Sequence, residues 1–218
     1  MSQPATVRID FVSDVACPWC AVGLASLERA LDALKDEVRA EIHFQPFELN
    51  PQMPREGEDV GEHIARKYGM SPAQLAQNQE AIRQRGAAVG FTFAHQDTRR
   101  IYNTFDAHRL LHWAGEQGDG LQHALKRALL GAYFTDGQDV SDHAVLARVA
   151  GSVGLDEAEA AAVLASDRHA EAVRRDEQFF LRAGIHSVPA IIIDQQHLIS
   201  GGQPPEVFEQ ALRQLAAR

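Results

Sequence analysis

The chain has 218 residues, 45% of them hydrophobic and 23% charged. That suits one large domain or a core with one insertion, and it excludes a mainly disordered chain, a coiled coil or a collagen. With 21 Lys and Arg against 30 Asp and Glu, the formal charge is −9, which repels phosphate backbones and argues against nucleic acid as a partner.

Residues 1–8 lack a basic stretch followed by an apolar one, so no signal peptide is read and a cytoplasmic location is expected. No apolar run approaches the roughly 20 residues of a membrane span, so no membrane partner is expected. Val7 to Val12 alternates apolar with polar and predicts a strand. From Pro18 to Leu34 the period changes: Leu24, Leu27, Leu31 and Leu34 recur at spacings of three and four, the mark of a helix. Ala40 to Phe47 alternates again. The opening is therefore strand, helix, strand, the unit that builds a parallel sheet.

Asn50 to Asp59, with Pro51, Pro54 and Gly57, reads as a loop. Helical signals then dominate. Ser71-Pro72-Ala73-Gln74 is a capping-box pattern with proline at the first helical position. Tyr102, Phe105, Leu110, Leu111 and Ala114 mark a helix over 102–116, and Leu121, Leu125, Leu129 and Ala132 another. Ser141 is the expected cap for a helix carrying Val145, Leu146 and Val149, and Asp156 opens a further one. A helix over 168–183 is expected to bury Ala172, Val173, Phe179 and Phe180. Ala190-Ile191-Ile192-Ile193, a turn at 194–196 and His197-Leu198-Ile199 make a hairpin. Pro204-Pro205 opens a last helix. The fold class is α/β: residues 1–57 and 168–218 form one small sheet domain, and 58–167 a helical insertion domain between its halves.

Cys17-Pro18-Trp19-Cys20 falls at the first strand-to-helix turn. Helix N-termini present free N–H groups and a positive partial charge, which favour a thiolate at Cys17. Pro18 fits the first helical turn, where its missing N–H costs nothing. Cys20 lies one turn on, within reach of Cys17, so the two make a dithiol/disulfide couple. A zinc site would need two further ligands, and no second C-x-x-C or nearby H-x-x-H exists. Two inert buried thiols, or a site for glutathione conjugation or isomerisation, are the competing readings. Val188-Pro189 stands just before the third strand, where a proline is tolerated because no ladder donor is lost. The residues alone favour a trans bond there.

These features together resemble the DsbA-like thioredoxin-fold oxidoreductases. More narrowly they resemble the FrnE subfamily, relatives of kappa-class glutathione transferases and 2-hydroxychromene-2-carboxylate isomerases. Further matching stretches are Phe47 to Pro51, Asn103 to Leu110, Tyr133 to Gly137 and Ser200 to Glu206. The resemblance implies a thioredoxin-like fold with an inserted all-helical domain. It implies Cys17 as nucleophile, Cys20 as resolving thiol, Pro189 as a cis-proline facing the pair, and Val188 offering backbone N–H and C=O to an extended substrate. It implies disulfide-containing protein or peptide substrates, no bound cofactor, glutathione as a candidate reductant or co-substrate, and a monomer or homodimer. Asn50 falls where the kappa-class relatives contact glutathione. Those transferases and isomerases carry serine at the position of Cys17, so cysteine there favours redox exchange. Some FrnE-type proteins have a second cysteine pair, whereas this chain has 2 cysteines in all.

Trp19 carries no charge to hold a thiolate, so a potential between roughly −270 and −120 mV is expected, with Trp19 as an apolar rim for substrate. In a cytosolic poise of about −220 to −320 mV that favours reductase or isomerase work. Asp14 would oppose a nearby thiolate, or acts as an acid/base near Cys20, or faces solvent. His186 either stabilises the sulfurs or lies exposed in its loop. The remaining histidines include His63, His95, His108, His112, His123, His143 and His169; of these, His108 and His112 share a helix face without an evident carboxylate partner, and no metal is assigned.

Overall fold

A computed structural model describes residues 4–94 and 100–216; His95 lies outside them. The chain opens with β1 (Ala5–Ser13), α1 (Pro18–Ala33) and β2 (Val38–Pro46). It closes with α8 (Ala170–Arg182), β5 (Ala190–Ile193), β6 (His197–Ser200) and α9 (Pro205–Ala216). The two ends meet in a four-stranded sheet of order β2-β1-β5-β6. β1 runs parallel to β2, with Ile9 opposite Ile42, and antiparallel to β5, with Phe11 opposite Ile191.

β1 is central and covered on both sides, so both of its faces must be apolar or satisfied. Ile9 and Phe11 join Leu24 and Leu27 of α1 and Phe208 and Leu212 of α9 in the main core. Val12 points the other way, to Phe47, Phe180, Ile185 and Ala190. The one polar residue buried in mid-strand, Asp10, is satisfied by Arg8 at 2.8 Å and Gln45 at 2.7 Å.

Between the halves run α2 (Val60–Tyr68), α3 (Pro72–Val89), α4 (Phe105–Gly115), α5 (Leu121–Phe134), α6 (His143–Ser152) and α7 (Glu157–Leu164). A two-residue ladder, β3 (Glu58–Asp59) with β4 (Arg100–Ile101), interrupts this helical stretch. It is too short for any alternation to announce it. α3 begins with the expected reciprocal cap between Ser71 and Gln74. The cap of α6 is Asp142, whose carboxylate accepts from the amides of Ala144 and Val145, not the expected Ser141. Ser141 instead turns back on Asp139, donating its amide at 2.8 Å. α8 buries Val173, Glu177 and Phe180, at spacings of four and three. Phe179, one residue off that stripe, is 59% exposed rather than buried. Among the described residues no helix is long and apolar enough to cross a membrane.

Candidate active site

The turn from β1 to α1 sets the site. Cys17 is the N-cap residue of α1, with extended backbone (φ −93°, ψ 114°), and Pro18 occupies the first helical position. The side chain of Cys17 makes no capping bond, while its carbonyl accepts from the amides of Cys20 and Ala21 at 3.1 and 3.3 Å. Its thiol donates to the carbonyl of Val188 at 3.7 Å. The Val188–Pro189 bond is cis, as the resemblance implied and the residues alone did not. The chain stays close here: a Cβ on Gly23 of α1 would lie 3.1 Å from Pro189 Cγ, and one on Gly202 would lie 3.0 Å from the Trp19 carbonyl oxygen. Small residues are thus needed where the Pro189 and Gly202 segments lean on α1.

Cys17 opens onto a cleft of ≈ 560 Å³ that Pro18, Trp19, Asn50, His186 and Val188 also line. α2 and α3 contribute Lys67, Tyr68 and Ile82 from the far side. Asn50 is fixed there: its Oδ1 accepts from Lys67 Nζ at 2.7 Å and lies 3.0 Å from His63 Nε2. His186 is exposed at the rim and Trp19 is half-buried. The residues singled out from sequence therefore converge on one place, except Cys20 and Pro189, which lie in the floor behind Cys17.

Behind the turn the surroundings are dry. Cys20 is completely buried. Burial, and after it the neighbouring Cys17, push its thiol well above the usual range; Lys126 and the Asp14 amide pull the other way. Asp14 does not face solvent: it is 1% exposed. Its Oδ2 accepts from the Leu49 amide at 2.8 Å, and its Oδ1 lies 3.4 Å from His108 Nε2. Burial would raise the Asp14 carboxyl, but His108 and the Leu49 amide hold it below its ordinary value. Lys126 of α5 is 1% exposed, and its Nζ has no hydrogen-bond partner among the described residues. Burial lowers its ammonium, which the charges of Cys20, Asp14 and Cys17 partly offset.

Lys126 and the placement of His108 escape the sequence reading. A signal existed for the first: Leu129, Leu130 and Tyr133, three, four and seven residues on, are all buried, so a lysine on that stripe must enter the core. His108 and His112 do not act as a pair. His108 points inward to Asp14, while His112 points to Glu116 and Asp176.

A family model for a DSBA-like thioredoxin domain matches residues 8–213. The structure of a probable DsbA oxidoreductase from Streptomyces coelicolor is 38% identical, covers 97% of this chain and 91% of its own, and superposes with TM-score 0.89. A 2-hydroxychromene-2-carboxylate isomerase, 14% identical with 95% of each chain covered, has TM-score 0.71. The cytosolic disulfide reductase DsbM from Pseudomonas aeruginosa, solved with GSH, is 16% identical, covers 97% and 100%, and has TM-score 0.66. These last two likenesses are of fold.

Proposed function

Since the chain belongs to the DSBA-like thioredoxin domain family, we propose that it is a thiol–disulfide oxidoreductase whose redox couple is Cys17 and Cys20. The observation that carries this reading is the Cys17 sulfur, placed at the start of α1, 3.7 Å from the Val188 carbonyl and open to the cleft. The Cys17 thiolate attacks a substrate disulfide, forming a mixed disulfide and expelling one substrate thiolate. Cys20 then gives up its proton and attacks Cys17. The Cys17–Cys20 bond forms and the second substrate thiolate leaves. An external thiol, glutathione being one candidate, must reduce the pair again.

The cleft suits peptides. Val188 offers backbone for strand-like pairing, and Trp19 gives an apolar rim. In a reducing cytosol the couple favours reductase or isomerase work. The fold likeness to an isomerase keeps glutathione-dependent isomerisation as a second reading, against which stands cysteine at position 17.

Insulin reduction measured beside glutathione conjugation separates the two. Cys17→Ser should abolish insulin reduction, and Cys20→Ser should accumulate mixed disulfides visible by mass spectrometry. Retention of insulin reduction by Cys17→Ser would overturn the proposal. Tryptophan fluorescence should change when dithiothreitol reduces the pair flanking Trp19; a non-catalytic binding module shows no such change.

A further inference from the structure

The end of α4 and the start of α8 bring together four side chains that the redox turn does not use. His112 and Glu116 lie four residues apart and so share a face of the last turn of α4. His169 is the N-cap residue of α8, and Asp176 lies two turns further on. Glu116 Oε1 is 3.7 Å from His112 Nε2 and 3.8 Å from His169 Nδ1. The two imidazole centroids are 5.2 Å apart. One ligand atom from each of these three residues lies within 4.8 Å of the other two. His112 Nδ1, on the opposite side of its ring, faces Asp176 Oδ2 at 3.7 Å.

None of these separations is a hydrogen bond. Where an imidazole and a carboxylate bond directly in this molecule they close further, as His123 and Glu28 do at 2.6 Å. A tetrahedral centre with bonds of about 2.1 Å sets its ligand atoms roughly 3.4 Å apart, so the two Glu116 separations stand within a few tenths of an ångström of that spacing. His169 has no cap bond to explain its place, and it adopts left-handed backbone with φ 63°. Its Nε2 is buried without a partner among the described residues, so neither ring nitrogen makes a hydrogen bond.

We propose that His112, His169 and Glu116 form a site for a zinc-type divalent cation, with Asp176 orienting His112. Two imidazoles and one carboxylate suit a borderline transition ion rather than Mg²⁺ or Ca²⁺, which want oxygen. Asp176 faces Nδ1 at 3.7 Å, where a small closure would take up that N–H and leave Nε2 to the metal, the carboxylate–histidine–metal arrangement. Three protein ligands leave a position open. His112, Glu116 and Asp176 all line one groove of ≈ 980 Å³ along β2, through which an ion can enter. The bound ion would tie α8 to α4, and α8 leads directly into the segment that carries Val188 and Pro189.

Cobalt(II) titrated into the reduced full-length protein tests this. Binding at the proposed site gives one equivalent with visible d–d bands and no thiolate charge-transfer band, which separates it from capture by Cys17 and Cys20. His112→Ala and His169→Ala should each weaken that binding at least about a hundredfold, and Asp176→Asn by about ten- to a hundredfold. Zinc alone should raise the Tm of the wild type and leave both histidine variants unmoved. If a histidine variant does not fold, Glu116→Gln, at a side chain 55% exposed, carries the same test. Absence of a bound equivalent, binding only with the thiolate band, or undiminished binding in these variants would overturn the site.

Discussion

Cys17 and Cys20 are one helical turn apart, yet the regions on either side of that turn differ in kind. The Cys17 side is a cleft, bordered by a half-exposed indole, an exposed histidine loop and polar groups that are already paired. The Cys20 side is sealed: Lys126 and the Asp14 amide act on the sulfur there, and His108 faces the buried Asp14 carboxylate beside it. The contrast matches two tasks. A nucleophile must be reachable, and Cys17, though only 4% exposed, lines the cleft. A resolving thiol must stay protonated until the mixed disulfide has formed, and burial does that. The helical stretch therefore does more than cover the sheet: α5 and α4 supply the buried cation and the imidazole behind the couple.

The most damaging change to that contrast is the removal of Lys126. With Lys126→Met the positive charge near Cys20 disappears while the volume stays close to filled. A unit charge a few ångströms away in a medium of effective dielectric about 20 is worth about 2 kcal/mol or more, so the release step should slow by roughly thirtyfold. The first attack by Cys17 should change by less than about threefold. Stopped-flow fluorescence of Trp19 resolves the two phases. Equal slowing of both would show that the two sides are not electrically separate. Asp14→Asn should act in the opposite sense on the Cys20 thiol, lowering it, because a buried negative charge is lost.

A second test sits beside the first in the segment that ties Asp14 down. Glu48 precedes Leu49, whose amide holds Asp14. Burial, and then the neighbouring Glu177, push the Glu48 carboxyl up to about 7, against the pull of Arg174. The folded protein thus keeps a proton on Glu48 that the unfolded chain releases near pH 4.5. The associated stability is fully present below pH 4.5 and is lost as pH rises through about 7. Allowing for relaxation of the pair, the loss is on the order of 2 kcal/mol. In urea unfolding at pH 5 and pH 8, Glu48→Gln should remove that part of the slope and be the more stable protein at pH 8. Arg174 keeps Glu177 at 2.8 Å in that variant. An unchanged pH slope would mean that Glu48 is ionised throughout, and the segment holding Asp14 would then carry a third buried charge.

The redox turn itself was legible in the sequence because the residues that make it are local. A strand followed by C-P-W-C and a Pro-initiated helix specifies an N-cap cysteine, whereas Val188-Pro189 as its neighbour came only through the family resemblance. The Cys20 side was not legible, because Asp14, His108 and Lys126 are brought together by packing across distant parts of the chain. Asp14 in isolation is a turn aspartate, which faces solvent by default. Its burial is decided by the Leu49 amide and His108, which no local pattern announces. Phe179 shows the same limit in reverse: its neighbour Phe180 took the place in the core. Ser141 and Asp142 are both good caps, and the choice between them fell to Asp139, which engages Ser141.

The smallest expected effect bears on whether the helical stretch acts as a rigid support for the sealed side. Asp142 caps α6, which packs on α5, the helix that carries Lys126. Asp142→Ala leaves two amides of the first turn without their acceptor, at a cost of about 1 kcal/mol. If α5 is held mainly by its own buried Leu125, Leu129 and Leu130, that loss appears only in the unfolding midpoint. Both phases of the stopped-flow trace then keep their wild-type rates. If the second phase slows while the first does not, fraying at α6 is reaching Lys126. The position of that charge would then depend on the whole helical layer rather than on the helix that bears it.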